Sequence, residues 1–583
     1  MSNAAVDLGT SDWLAFEDGD LAVALASFIG AGDMASAAFA GVWAGSPVPD
    51  SPAPVSDLDR LLVALTATLE AAGRGPIDAM RMPDLSGLDV PDRARWLVAL
   101  TELAIAAAGD DWEQVNAAAD RLVAAIEQTG QAPHLIRVCR STKWERLTGS
   151  IAYAVGGNGP QGAAWLSNIA TFRDRHHRPH ARRPTSPAAH QVDDARLPAL
   201  AADVFAQART MLNDSWNPDS GCCYPNRYAY PHQWLWDSSF NAVAWAALGD
   251  ERAIVELQHL FTGQTAGGFL PHIRYTTPSS GRGPRTDRSS YTQPPVFAHA
   301  LRAAVHAGLG VTDDMIDASG RALDHLWDHR RADNGLIFIV HPWEAGTDDS
   351  PRWDSWAAPH GWDIDSLSQH DRDLVDTTRF DTDGIAVWND RFVCCPASFN
   401  AITAWACAEQ AALTGEQRWV ERAALLADRM DTLQWNDEQG LWDDLPLVGG
   451  GPSSHLPTVD GALPALVTTD VDHRDRALGQ LTGDGRFAGR YGRSFLPFDD
   501  PQLQPDVYWR GPAWPNLEYL LWHASRVAGN EQATTEIADA VLHGVLRAGF
   551  SEYWNPYTGQ GAGGKPYAWA AVTAAIALHH LAS

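Results

Sequence analysis

The stretch His341-Pro-Trp-Glu-Ala-Gly-Thr-Asp-Asp-Ser-Pro-Arg-Trp-Asp354 sets carboxylates beside tryptophans, a glycine and an arginine. Its prolines and glycine are typical of a loop. Tryptophan covers the apolar face of a sugar ring, and a carboxyl group against an apolar wall tends to hold its proton. The same mixture recurs in residues 230–237 and 508–514, and a lone glutamate, Glu552, lies in the aromatic segment 550–556. We therefore predict that four distant segments form one carbohydrate pocket.

Composition narrows the class of protein. The 583 residues allow two or more domains, or one large domain with an extension. A formal net charge of −29 argues against nucleic acid or an anionic membrane as partner, because phosphate binding needs a basic surface. The start at Met1 shows no secretory signal, and no apolar stretch is long enough to cross a bilayer. We predict a cytoplasmic protein.

The six cysteines favour reduced, buried thiols. Four of them form two adjacent pairs, Cys222-Cys223 and Cys394-Cys395, and none has the Cys/His spacing of a zinc site. We predict no metal and no cofactor. Aspartates crowd residues 363–383, but no EF-hand loop is present, so a solvated acidic face is the better interpretation.

The chain divides into three predicted regions. Residues 1–172 carry alanine and leucine at helical spacing and predict an α-helical N-terminal region. Residues 173–196 are rich in proline, histidine and arginine and read as a basic linker. Residues 197–583 then repeat a rhythm of helical segments that end in polar turns closed by glycine.

This rhythm predicts an all-α fold in the third region. The turns lie at residues 215–221, 331–335, 434–440 and 553–559. The predicted helices are residues 251–261, 397–413, 418–433, 517–527, 534–546 and 568–581. Helix hairpins of about 50–65 residues would give roughly six pairs, which is the content of an (α/α)6 toroid.

The motifs resemble a known family. Residues 343–353 resemble the acid-bearing motif of trehalases and family 63 glycoside hydrolases, and the bacterial mannosylglycerate and glucosylglycerate hydrolase branch is the closest match. Segments 230–237, 293–295 and 508–514 support the resemblance, which extends from Leu197 to the C-terminus. The resemblance implies an (α/α)6 barrel and inverting hydrolysis by two carboxyl groups.

The resemblance also implies roles for individual residues. Asp348 matches the general acid and Glu552 the general base, while Asp349, one residue on, leaves a shift of register open. Inversion would place the two carboxyl groups roughly 6.5–9.5 Å apart. Trp343 beside Asp348 would disfavour its ionised form. Asp237 is a rival for the acid. If the family motif is disregarded, the alternative interpretations are that Asp348 is a loop carboxylate capping a helix and that Glu552 is a surface glutamate.

The remaining pocket residues match substrate-binding positions of the family. They are Tyr230, Trp234, Trp236, Asp237, Gln293, Trp343, Gly346, Tyr508, Trp509, Arg510 and Trp514. The family takes its carboxylate-binding arginine from a segment after the acid motif, which here is residues 377–387. Arg379 in this segment is one candidate, Arg391 beyond it is another, or none serves.

We predict exo-acting, inverting hydrolysis of a small α-glucoside or α-mannoside. The alternatives are a non-catalytic carbohydrate-binding protein and another (α/α)6 enzyme, such as a trehalase, phosphorylase or lyase.

Overall fold

The computed structural model describes residues 197–226, 230–276, 278–279, 281–357 and 373–582. Both the predicted N-terminal region, 1–172, and the linker, 173–196, lie outside them. Apart from Gly564–Pro566, the described residues belong to one compact unit, which is mostly helical. No helix among them is long and apolar enough to span a bilayer. The five described cysteines are all buried free thiols, as predicted.

Helices make up most of the described chain. They are α1 (Leu197–Ser215), α2 (Leu235–Ala247), α3 (Arg252–Phe261), α4 (Phe297–His306), α5 (Asp313–His329), α6 (Asp354–Ala357), α7 (Ala397–Thr414), α8 (Gln417–Leu433), α9 (Val471–Gly479), α10 (Pro515–Val527), α11 (Glu531–Ala548) and α12 (Thr573–Ala582). Short 3₁₀ helices cover Pro342–Ala345, Pro351–Trp353, Pro452–His455, Val459–Leu466, Tyr508–Arg510 and Ala568–Val572.

The strands are short and pair only in antiparallel twos. They are β1 (Trp216–Asn217), β2 (Cys222–Cys223), β3 (Gln233–Trp234), β4 (Ile273–Arg274), β5 (Thr378–Phe380), β6 (Ala386–Asn389), β7 (Val393–Cys395), β8 (Trp435–Asn436), β9 (Leu441–Trp442), β10 (Leu445–Val448), β11 (Ala488–Gly489), β12 (Gly492–Arg493), β13 (Tyr553–Trp554) and β14 (Gly561–Ala562). The pairs are β1–β2, β3–β4, β5–β6, β7–β10, β8–β9, β11–β12 and β13–β14.

The helices pack in a connected series. α2 contacts α4, α4 contacts α7, and α7 contacts the 3₁₀ helix Val459–Leu466. That helix contacts α10, which contacts the 3₁₀ helix Ala568–Val572, and the latter contacts α2. A second set packs against these: α3 on α2, α8 on α7, and α11 on α10. The helices of the first series are apolar around most of their surface, as burial between other helices requires.

Most of the predicted helices are confirmed within one to three residues. For example, α7 ends at Gly415, which has a φ of 73°. Residues 568–581 differ, because they begin as a 3₁₀ helix and continue as α12. Three of the four predicted glycine turns close the hairpins β1–β2, β8–β9 and β13–β14, with φ between 66° and 71° at Gly221, Gly440 and Gly559. These hairpins have two-residue strands, too short for an alternating pattern to show in the sequence.

Candidate active site

The loop that carries Asp348 is clamped on both sides of that residue. On one side, the Arg352 Nη2 donates to the Thr347 hydroxyl at 2.6 Å, and the Trp353 indole donates to the Thr347 carbonyl at 2.8 Å. On the other side, Arg510 donates to the Asp349 carbonyl at 3.2 Å. Asp348 itself is half-buried and Asp349 is 7% exposed. The arginine and tryptophan of the motif thus hold the loop backbone.

A buried ion pair anchors the start of the same loop. The Glu344 carboxylate accepts both Arg330 Nη atoms at 2.9 Å and the Val340 N–H at 2.7 Å. It also accepts the Thr292 N–H at 3.2 Å, next to the predicted pocket residue Gln293. Both side chains of the pair are at most 2% exposed. Glu344 therefore joins two segments of the site, a role that the sequence analysis missed.

Gly346 permits a close approach to Trp236. It has a φ of 75°, and a Cβ there would lie 2.4 Å from the Trp236 ring. A side chain at this position would clash with the ring and strain the backbone. Gly346 thus shapes the loop against the pocket wall.

Glu552 is buried and held by hydrogen bonds to its side chain and its backbone. Its side chain is 1% exposed, so the surface-glutamate alternative is wrong. The Tyr230 hydroxyl donates to its Oε1 at 3.2 Å, and the Trp569 indole donates to its backbone carbonyl at 3.0 Å. Gly563 lies so close that a Cβ would be 2.5 Å from Oε2. The Gly563 backbone therefore packs directly against the Glu552 carboxylate.

Asp237, in the first turn of α2, is a neighbour of Glu552. Burial, and next the negative charge of Glu552, raise the pKa of Asp237 well above its usual range. Its Oδ1 is buried without a hydrogen-bond partner among the described residues. A protonated Asp237 can donate a hydrogen bond as well as accept one.

A third buried carboxyl group, that of Glu256, lies near Asp237 and contributes to its raised pKa. Burial raises the pKa of Glu256 to about 8. The Ser238 hydroxyl donates to Oε1 at 2.8 Å and the Cys223 N–H to Oε2 at 3.0 Å. Its helical surroundings showed no sign of a polar role in the sequence.

Aromatic contacts connect the two carboxylate segments. Trp236, which Gly346 touches, packs edge-on against Trp569 with ring centroids 5.7 Å apart, and Trp569 bonds to Glu552. Trp509, beside Arg510, stacks on Trp514 at 3.4 Å, and Trp514 contacts Tyr553 at 4.5 Å. The Asp348 and Glu552 segments therefore share one aromatic wall.

The predicted binding residues differ in exposure. Trp236, Trp509 and Trp514 are at most 2% exposed and lie within this wall. Arg510 holds Asp354 with both Nη atoms, at 3.0 and 2.6 Å, and Gln293 accepts the Trp236 N–H at 3.4 Å. Trp234, Trp343 and Tyr508 are half-buried and retain accessible ring surface.

Both candidate carboxylate-binding arginines already have partners within the protein. Arg379 is 64% exposed and pairs with Asp390 on the β5–β6 hairpin. Arg391 donates to the Trp356 carbonyl at 3.2 Å. The half-buried Arg282 instead lies 5.0 Å from the Trp343 ring centre and 5.9 Å from that of Trp234. Sequence reasoning missed Arg282, because its contacts are distant along the chain.

Among the described residues, one group could hold a metal ion: His299, Glu409 and His523, with ligand atoms within 4.8 Å of one another. His299 and Arg302 already pair with the Glu409 carboxylate. Part of the aspartate-rich stretch lies outside the described residues. Within it, Asp381 accepts backbone N–H groups of its own turn.

The mostly helical fold, with buried carboxyl groups among tryptophans, accords with a glycoside hydrolase, and the match to a family of such enzymes shows that class. Residues 230–570 match the family described as the mannosylglycerate hydrolase MGH1-like glycoside hydrolase domain, and the chain belongs to that family. The binding-module alternative is thereby set aside.

Individual relatives agree with this family. A mannosylglycerate hydrolase of Rubrobacter radiotolerans is 29% identical over 447 residues, which are 64% of this chain and 96% of the relative. A glucosylglycerate hydrolase of Mycolicibacterium hassiacum is 28% identical over 419 residues, 59% of this chain and 90% of the relative. The crystal structure of a GH63 mannosylglycerate hydrolase from Thermus thermophilus, in complex with Tris and D-glycerate, is similar at a TM-score of 0.54 and 26% identity. It covers 64% of this chain and 99% of its own.

Proposed function

We propose that this protein hydrolyses a small α-linked glucoside or mannoside from its sugar end, with inversion, using Asp348 as general acid and Glu552 as general base. The buried Glu552 carboxylate, approached by the Tyr230 hydroxyl and the Gly563 backbone, carries this proposal. Asp348 protonates the departing oxygen while Glu552 takes a proton from the attacking water. Asp237 donates a hydrogen bond to a sugar hydroxyl, and Trp234 and Trp343 cover the ring.

We propose that the two sets of helices form an (α/α)6 toroid. The contacts from α2 through α4, α7 and α10 back to α2 support a closed inner ring. The clamps on Thr347 and Asp349 then fix the acid loop in one orientation. Such fixed geometry favours reaction because little reorganisation is needed in the transition state. Buried free thiols accord with work in a reducing cytoplasm.

The names of the relatives indicate the first substrates to test: mannosylglycerate and glucosylglycerate, with trehalose for comparison. Proton NMR of the first released sugar reports the stereochemistry, and early β-sugar supports inversion. We expect Asp348→Asn and Glu552→Gln each to lower kcat by about 10²–10⁴-fold. Asp349→Asn, one residue from the acid, is the matched control and keeps most activity. A larger loss at Asp349 would move the acid to that position, and early α-sugar would refute inversion.

A further inference from the structure

A polar cluster lies among the helices of the first series, away from the proposed active site. His299 of α4, Glu409 of α7 and His523 of α10 each offer a ligand atom, and these atoms lie within 4.8 Å of one another. Trp514 caps the start of α10, and His523 follows it at roughly 13 Å along the helix, at 1.5 Å per residue. The cluster is therefore separated from the aromatic wall that contains Trp514.

The spacing of the three side chains fits one metal ion. A tetrahedral zinc ion with bonds of about 2.0–2.1 Å holds its ligand atoms about 3.3 Å apart. The His299 Nδ1 lies 2.8 Å from the Glu409 Oε1, and all three ligand atoms fall within 4.8 Å. The ring centres of His299 and His523 are 4.9 Å apart, close to the roughly 5 Å expected for two imidazoles on one tetrahedral ion. Small side-chain shifts are then enough to reach zinc geometry.

The His523 ring has a nitrogen that the fold leaves unused. Its Nδ1 is buried and has no hydrogen-bond partner among the described residues. Burial is the largest cause that lowers the pKa of His523 well below its usual range, so the ring is neutral, which is the form that binds metals. A buried nitrogen without a partner costs free energy, and a metal ion in the cluster would supply that partner.

The other two side chains have the outer partners that a metal site needs. The His299 Nε2 lies 2.6 Å from the Tyr519 hydroxyl, which can accept its hydrogen and leave Nδ1 for the ion. The Arg302 Nε lies 3.4 Å from the Glu409 Oε2, so Oε1 remains for the ion. The proton that holds His299 Nδ1 and Glu409 Oε1 at 2.8 Å is the one that a metal would replace. The Trp405 ring packs against both imidazoles, with centroids 4.1 and 5.0 Å away, and restricts their orientations.

We propose that His299, Glu409 and His523 bind one zinc ion, with water as the fourth ligand. Two imidazoles and a carboxylate are a ligand set that zinc favours, and the half-buried Glu409 and His523 leave a path from solvent. The ion ties α4, α7 and α10 together and stabilises the fold, without a part in the chemistry at Asp348 and Glu552. This inference is independent of the proposed hydrolase function. The sequence analysis predicted no metal, because the ligands are 110 residues or more apart and show no zinc spacing.

Zinc binding and thermal stability of the full chain test the site. After chelation and removal of the chelator, calorimetric titration with Zn²⁺ should show one ion per chain. Tm should rise by about 4 °C with zinc at 100 times its Kd. His523→Gln should weaken binding more than about 100-fold, and Tyr519→Phe, which removes only the outer partner of His299, about 10-fold. His455→Gln is the matched control and should bind like the wild type, because the exposed His455 also pairs with a carboxylate, that of Asp443, 3.0 Å away.

Cobalt substitution identifies the ligands in the wild type itself, so this test does not depend on the folding of a variant. Co²⁺ held tetrahedrally by nitrogen and oxygen gives visible d–d absorption, which should appear with one equivalent and disappear when Zn²⁺ is added. A thiolate-to-cobalt charge-transfer band would place the metal at cysteines and overturn the inference. The same follows if the wild type binds no zinc, or if His523→Gln binds it equally well. Removal of zinc should lower Tm and leave kcat unchanged well below Tm, and a parallel loss of kcat would overturn the structural role of the ion.

Discussion

At the scale of single residues, the proposed site depends on glycines that let the backbone approach the proposed catalytic groups. Gly563→Ala would place a Cβ 2.5 Å from the Glu552 Oε2 at a φ of 74°. We expect kcat to fall about 100-fold, since a displacement near 1 Å has effects of that size. Gly529→Ala is the matched control, because its φ is 68° but nothing lies within 4 Å of the added Cβ. Kinetics at saturating substrate measures both, and equal losses would show that backbone strain alone is responsible.

A second residue-scale prediction concerns Glu256 and pH. Burial raises its pKa from 4.5 to about 8, so the native chain keeps a proton that the unfolded chain releases across this range. Stability therefore falls as pH rises from 4.5 to 8. We expect Glu256→Gln to show a shallower fall of Tm with pH. Glu251→Gln, at an exposed position just before the same helix, should follow the wild type. Parallel curves for wild type and Glu256→Gln would contradict the prediction.

At the scale of elements, the buried Arg330–Glu344 pair joins the C-terminal cap of α5 to the acid loop. Glu344→Ala would leave Arg330 buried without its carboxylate, and we expect a loss of about 3–5 kcal/mol in the free energy of unfolding. Asp390→Ala breaks the exposed pair with Arg379 and should cost no more than about 1 kcal/mol. Chemical denaturation measures both. Similar small losses would mean that the Glu344 carboxylate contributes little to the stability of the fold.

Elements also show what the sequence could and could not predict. Helix α8 was predictable because its apolar positions recur at helical spacing over 17 residues, and α7 because a long, mostly apolar run of 18 residues ends at a glycine. The two-residue hairpins were not, since they depend on packing between helices. The acid loop was recognised from its motif. Glu344 and Glu256 were not assigned roles, because their significance lies in partners from other segments.

At the scale of the whole molecule, all of the proposed catalytic and sugar-binding residues lie within one compact unit. The Thermus thermophilus structure matches 64% of this chain over 99% of its own length. A relative without the remaining third of this chain therefore exists as a separate protein. The family match covers residues 230–570, and the packed helices α1 to α12 lie between residues 197 and 582. Both therefore fall in the C-terminal two thirds of the chain. The predicted regions 1–172 and 173–196 supply none of the proposed catalytic residues.

We therefore expect residues 197–583, produced alone, to fold and to hydrolyse the substrate with kcat and KM within about threefold of the full chain, as an independent domain does. The physical reason is that the proposed acid and base and the clamps on the acid loop all remain in this fragment. Calorimetric unfolding and steady-state kinetics on both proteins measure the outcome, with Glu552→Gln in the fragment as the inactive control. A fragment that unfolds in one cooperative transition but has lost its kcat would show that residues before 197 complete the site. A fragment that cannot fold would show that they stabilise the helical array.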